Sequence, residues 1–287
     1  MLSRIRKSFP MPILRLVRGT YVIMLKIHDI FLRPRKGLPP RSLALRAGGF
    51  QDYEKTGNEF LGYFKKLCGL RPGHSVLDIG CGVGRMAWPL TSFLSSEGKY
   101  QGLEVVKKYV DWCGENISVR FPNFQFGHMD VFNGKCNPKG KISGAEYKFS
   151  FPDSAFDFIF LTSVFTHLLQ ADTENYVAEI SRMLKADGRC LATFFLLNDQ
   201  SLELARSGKS AYEFKYRFDN YALEDERDPE YAVAYSQDYV SELLKRNHLQ
   251  VRGPVRYGSC CGRQDFTSYQ DILVLEKSLS PDGRKGR

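Results

Sequence analysis

Asp78 stands two residues before Gly80, glycine recurs at Gly82 and Gly84, and Glu104 follows twenty residues after the last of them. Glycines at alternate positions allow positive φ and let a ligand approach the main chain with no Cβ in the way. A carboxylate at the end of the next strand can accept two hydrogen bonds from the vicinal hydroxyls of a ribose. Together these residues spell nucleoside binding. The pyrophosphate form of that chemistry requires G-x-G-x-x-G, with a third glycine at position 85, where this chain has Arg85. The observed spacing is G-x-G-x-G.

Positioning such a loop takes a buried strand, a turn and a helix. The apolar run Val76-Leu77-Asp78-Ile79 is read as the strand and residues 86–94 as the helix, with the amides near Arg85 to Trp88 lining a crevice at the strand's carboxyl end. Residues 58–68, with Phe60, Leu61, Phe64 and Leu67 at helical spacing, predict a helix before that strand. Further strands are expected at 99–105, 124–126, 156–161 and 189–197. A helix capped by Asp172 runs to Leu184, and Ser236 caps another to Asn247. This alternation is the doubly wound α/β pattern. Two closing strands, at 251–258 and 270–277, have no helix between them.

Several features join the glycine loop in the expected order. They are the Gly127-His128-Met129-Asp130 turn, the strand Phe156-Asp157-Phe158-Ile159-Phe160-Leu161 with its continuation Thr162-Ser163-Val164-Phe165-Thr166-His167, and the closing hairpin. With them, residues of roughly 55–277 resemble the class I S-adenosylmethionine-dependent methyltransferases of the broad bacterial type-11 and type-12 group. The resemblance implies a Rossmann-like doubly wound sheet with a C-terminal antiparallel strand hairpin. It implies S-adenosyl-L-methionine as cofactor, with Asp78 balancing the methionine ammonium and Gly80, Gly82, Gly84 and Arg85 forming the loop. Glu104 takes the ribose, Met129 supplies an apolar wall and a backbone amide to adenine, and Asp130 takes the exocyclic amine. Thr162 and Ser163 complete the cofactor set at the end of the fourth strand, which in this family faces the reactive methyl. The N/D-P-P-Y and Pro-Cys patterns of base-modifying enzymes are absent there. His167 is the group at that place whose ordinary pKa lets it accept a proton near pH 7. It is read as the general base; the alternative is a residue that only caps and packs after the strand.

The net charge of +9 has to be located before it is interpreted. Residues 1–50 hold eleven Lys or Arg and one acid, Asp29, whereas the remaining thirty basic and thirty-one acidic residues nearly cancel. A basic face for a long polyanion therefore has no support in the body of the chain, and nucleic acid is not the expected partner. Placed on a helix from about residue 12 to 32, Arg15, Arg18, Lys26 and Asp29 share one stripe and the rest is apolar. Three readings stay open for residues 1–36: an amphipathic helix on an anionic membrane, a helix docked on the domain or on a second subunit, and an Arg-rich transit peptide. Seven cysteines with no C-x-x-C pair and no His at ligand spacing predict a reducing, cytoplasmic setting and no structural metal.

The chain therefore divides into a basic arm and linker over 1–50, a methyltransferase domain over 51–280, and a disordered tail over 281–287. Residues of about 198–235, polar and aromatic without regular period, are read as an acceptor lid inserted after the fifth strand, or as a solvated loop. Arg263 is expected either to meet an anionic acceptor or to form a structural ion pair. The reading of function is transfer of a methyl group to a hydroxyl of a small-molecule, lipid or glycan acceptor. The alternatives are an RNA methyltransferase anchored by the arm, and a non-catalytic S-adenosylmethionine-binding partner subunit.

Overall fold

The computed structural model describes residues 19–25, 27, 29, 37–48 and 52–278. Most of the arm and the whole of 281–287 lie outside these. Residues 19–25, 27 and 29 are helical. Helix α1 (Arg41–Gly48) follows, then α2 (Tyr53–Cys68), which is five residues longer at its start than the apolar spacing implies because the Asp52 carboxylate accepts the Lys55 amide as an N-cap. Gly69 closes α2 in the left-handed conformation at φ +65.

Strand β1 (Ser75–Ile79) carries the glycine turn to α3 (Ala87–Leu90), and β2 (Lys99–Glu104), α4 (Lys107–Cys113) and β3 (Phe124–His128) complete the first half of the sheet. The predicted helix over 86–94 is four residues long. The Thr91 hydroxyl donates to the Trp88 carbonyl at 2.7 Å, competing with continuation, and Pro89 has no amide to offer. The second half is β4 (Phe156–Leu161), α5 (Gln170–Met183) and β5 (Leu184–Phe194). Helix α5 starts two residues before Asp172, which sits in its first turn and is not its cap; Leu169 holds the cap position.

Beyond β5 the chain departs from the lid or solvated loop read from sequence. Strand β6 (Leu196–Leu197), α6 (Asp199–Arg206), β7 (Tyr216–Arg217), β8 (Tyr221–Leu223) and β9 (Val233–Ser236) build a second sheet in the order β6-β9-β8-β7. Helix α7 (Gln237–Arg246), begun by Ser236 as expected, leads to β10 (Leu249–Val251) and β11 (Asp271–Lys277). The main sheet has the order β10-β11-β5-β4-β1-β2-β3, parallel except for β11, which is antiparallel to both neighbours. The closing hairpin is thus present, with its first strand shorter than expected.

Alternation through β1 and β4 divides the core between the two sheet faces. Val76, Phe158 and Phe160 pack with Phe64 of α2 on one side, while Leu77, Ile79, Ile159 and Leu161 meet Ile180 and Met183 of α5 on the other. Central parallel strands are covered on both faces, which is why they read as nearly continuous apolar runs. Phe195, Phe214, Ala222 and Ala234 form a separate small core under the second sheet.

Candidate active site at the carboxyl ends of the parallel strands

The turn after β1 holds Gly80, Gly82 and Gly84 at φ +81, +54 and +75. All three are left-handed, which is the reason for glycine at each. Their surroundings differ. A Cβ at Gly80 would lie 2.5 Å from Val164 Cγ2, and one at Gly84 would lie 2.6 Å from Ile117 Cδ1. At Gly82 the nearest atom is Ala47 of α1, at 3.6 Å. The loop is therefore packed from beneath at its two ends and covered loosely by α1 in the middle. Tyr53 of α2 donates to the Val83 carbonyl at 2.8 Å and fixes the outer limb.

Glu104 ends β2 under this loop and is 7% exposed. Its Oε2 accepts the Gly82 amide at 2.8 Å and its Oε1 the Val106 amide at 2.9 Å. Burial raises its pKa, and the two amides oppose that shift by stabilising the carboxylate. Each oxygen keeps a second lone pair, so the carboxylate can still take a pair of vicinal hydroxyls. Asp78 is sealed from solvent. Its Oδ2 accepts the Tyr100 hydroxyl at 2.6 Å, and its Oδ1 has no hydrogen-bonding partner among the described residues. Burial pushes its pKa up to about 8, against the opposing Tyr100 hydrogen bond. In the free protein it is thus mostly neutral at pH 7, and a cation would have to ionise it before it could act as a counter-charge.

The turn after β3 corrects one sequence expectation. The Met129 amide donates to the Glu104 carbonyl at 2.9 Å and prolongs the sheet, so it does not reach toward an adenine ring. The Met129 side chain is buried. Asp130 is partly exposed, with Lys141 Nζ 3.9 Å from its carboxylate and its carbonyl accepting the Lys141 and Ile142 amides. Arg85 is half-buried, and burial lowers its pKa while neighbouring Tyr53 opposes the shift. The short α3 presents no ordered row of helix amides at 85–88.

At the end of β4, Thr162 is half-buried and Ser163 adopts φ +62, which a residue with a side chain rarely does. A closed set of hydrogen bonds holds it there. The Ser163 amide donates to Thr193 Oγ1 at 2.7 Å, Thr193 Oγ1 donates to Gln270 Oε1 at 2.7 Å, and Gln270 Nε2 donates to Ser163 Oγ at 2.9 Å. Thr193 and Gln270 escaped the sequence reading because they lie 30 and 107 residues from Ser163 with no motif around them.

His167 closes a single 3-10 turn (Phe165–His167) and packs against the second-sheet segment, its Nδ1 2.9 Å from the Glu230 carbonyl. A carbonyl only accepts, so Nδ1 carries the proton and Nε2 is the basic nitrogen. Burial lowers its pKa, more than the carbonyl contacts raise it. Lys135 sits nearby, over the Tyr231 ring at 4.7 Å and 4.0 Å from Asp228. Arg263 is a structural residue: its Nη1 lies 3.4 Å from Asp271 Oδ1, its Nε donates to Gln200 and its Nη2 to Asn198, and its guanidinium covers Tyr257. No group of three or more His, Cys, Asp or Glu among the described residues could hold a metal ion.

A loop of three left-handed glycines is thus hydrogen-bonded to the acid that ends β2, within a sheet whose parallel strands run in the order β5-β4-β1-β2-β3. Residues 77–192 match the family model of a methyltransferase domain of the type-11 group. The matched stretch, 116 of the 287 residues, is similar to a class I methyltransferase domain, and the mixed α/β fold agrees with that similarity. A sterol 24-C-methyltransferase of Gibberella zeae is 30% identical over 129 residues, covering 44% of this chain and 29% of that protein. A probable cobalt-precorrin-6B C(15)-methyltransferase (decarboxylating) of Thermoplasma acidophilum is 27% identical over 108 residues, covering 37% of this chain and 46% of that one. The chain thus spans less than half the length of these curated relatives. The crystal structure of a Pyrococcus horikoshii protein superposes on the fold with a TM-score of 0.53 at 17% identity, covering 79% of this chain and 92% of that one. The matched segment of the methyltransferase domain takes in the glycine loop, Glu104, the Met129-Asp130 turn and His167. Gln270 and the second sheet lie outside it.

Proposed function

We propose that this chain is an S-adenosylmethionine-dependent methyltransferase that methylates a hydroxyl of a small-molecule, lipid or glycan acceptor. The observation that carries the cofactor is the Glu104 carboxylate, tied by Gly82 and Val106 amides and left with one lone pair on each oxygen toward the loop. The buried Oδ1 of Asp78 without a protein partner fits a cationic group arriving above it. Gly82, where a Cβ would meet nothing nearer than Ala47 at 3.6 Å, is the least tightly packed of the three loop glycines. Gly80, Gly84 and Arg85 shape the loop, Met129 walls the base, Asp130 takes its exocyclic amine, and Thr162 with Ser163 borders the methionine portion.

When bound, the sulfonium supplies a methyl group already activated for displacement. The chain's residues then orient the acceptor and accept its proton. The sulfonium would give up its methyl group and keep the bonding pair, so the residues at the end of β4 would have to hold the acceptor oxygen in line with it. The hydroxyl proton passes to Nε2 of His167, whose Nδ1 proton is held by the Glu230 carbonyl. A histidine with a lowered pKa is neutral at pH 7 and so ready as a base.

The test is incubation of the protein with methyl-labelled S-adenosylmethionine and a fractionated host extract, counting label in lipid, glycan, small-molecule, RNA and protein pools. Label in one of the first three supports the reading and names the acceptor class. Label in RNA or protein, or cofactor binding without any labelled product, overturns it.

A further inference from the structure

The helical residues of the N-terminal arm are apolar on the outward side as well as on the side that meets the domain. Val22 is buried, Leu25 is half-buried, and the Asp29 carboxylate accepts the Arg41 and Ser42 amides at 3.0 Å each, capping α1. At about 100° per residue these three positions share about 60° of arc. The large apolar residues Ile23, Met24 and Ile27 fall on the other side and are 59%, 59% and 51% exposed, with Tyr21 beside them at 40%. Val22 and Leu25 turn inward with the Asp29 carboxylate, and the three large apolar side chains Ile23, Met24 and Ile27 turn outward. Burying them against something external is favourable by the usual area argument.

We propose that this outward face docks on an anionic phospholipid surface. Charge selects that occupant. Residues 1–50 carry eleven Lys or Arg against one acid, and that acid is already occupied by α1. A second copy would bring an equally cationic arm against the first, whereas the remainder of the chain, with thirty basic and thirty-one acidic residues, offers no compensating negative field. An anionic bilayer supplies both an apolar layer for Ile23, Met24 and Ile27 and a negative surface for the flanking Lys and Arg. No described helix is long and apolar enough to cross a membrane, so the contact is with the surface. The arm joins α1, whose Ala47 covers Gly82, and docking therefore holds the mouth of the crevice beside the bilayer.

This inference does not depend on the reaction proposed above, and its test does not use turnover. The full-length chain is floated with phosphatidylcholine vesicles with and without phosphatidylglycerol, and the triple variant Ile23→Ser, Met24→Ser, Ile27→Ser is run in parallel. Thermal unfolding and S-adenosylhomocysteine affinity report whether the variant is folded. The expected result is flotation with anionic vesicles, at least tenfold weaker binding to pure phosphatidylcholine, and at least tenfold weaker binding of the variant at an unchanged melting temperature. Wild-type protein that stays in the aqueous fraction overturns the proposal, as does a variant that floats like the wild type. A wild-type dimer that the variant dissolves, with neither floating, would assign the face to a second copy. Should the triple variant unfold, Met24→Ser alone is read by the same criterion, with at least a threefold loss of vesicle binding expected.

Discussion

The two ends of the proposed methyl-transfer crevice are built in different ways. The cofactor end is local in sequence: Asp78, the glycines and Glu104 fall within 27 residues, and Gly82 and Glu104 touch at 2.8 Å. The proposed acceptor end lies between the Thr193–Gln270 pair, which holds Ser163 at the border of the methionine portion, and His167 with the Glu230 carbonyl, joining positions up to 107 apart. One end can be held constant by a short motif. The other depends on where distant loops happen to meet, so acceptor choice can change while the cofactor end stays fixed.

The contrast makes ordered predictions. His167→Gln is expected to lower turnover by about 10²- to 10⁴-fold while leaving S-adenosylhomocysteine affinity within about twofold, as measured by calorimetry. Because burial lowers the histidine pKa, wild-type turnover should stay flat through neutral pH and fall only below the ordinary imidazole range near 6.5. A variant with full activity would remove His167 from the chemistry. Gly80→Ala combines a left-handed φ with a 2.5 Å approach to Val164, and should cost about 2–4 kcal/mol of stability by denaturant unfolding. Gly82→Ala, with Ala47 at 3.6 Å, should cost only the conformational part, about 1–2 kcal/mol. Equal losses at the two glycines would refute the packing difference between them.

Glu104→Ala removes a charged acceptor and should weaken S-adenosylhomocysteine binding by about 1.5–3 kcal/mol, roughly tenfold to a hundredfold. Unchanged affinity would exclude it from the ribose site. Gln270→Ala opens the ring that holds Ser163 in its left-handed conformation, with an expected stability loss of about 1 kcal/mol and little change in S-adenosylhomocysteine affinity. A large affinity loss there would move the network to the cofactor end and blur the distinction between the two.

Legibility followed the same division. Strands β1 and β4 announce themselves because both faces are buried, and Val76 to Ile79 and Phe156 to Leu161 leave little polar text to confuse the pattern. Their neighbours are set by the turn glycines and by Glu104. The helix after the loop read too long, since the apolar residues from Met86 to Leu94 do not reveal that Thr91 would bond back to Trp88. The Met129 amide was read as free for a ligand, because an extra ladder bond to Glu104 has no sequence signature. The second sheet was illegible for another reason. Its strands are two to four residues long, too short for a period of two to emerge, and aromatic residues such as Tyr221 and Tyr235 pack on one another within it.

Strand β5 ends at Phe194, and only Phe195 separates it from β6 of the second sheet. The Tyr235 amide donates to the Phe195 carbonyl, Phe194 stacks on Phe165 at 4.5 Å, and the space between the small sheet and α6 amounts to about 20 Å³, room for a single water. A swing of the small sheet as a lid would break the Tyr235–Phe195 bond and the bond from the Leu196 amide to the Asp271 carboxylate of β11. Hydrogen exchange of Leu196 and Tyr235 should therefore keep pace with the central strands, as parts of one cooperative unit.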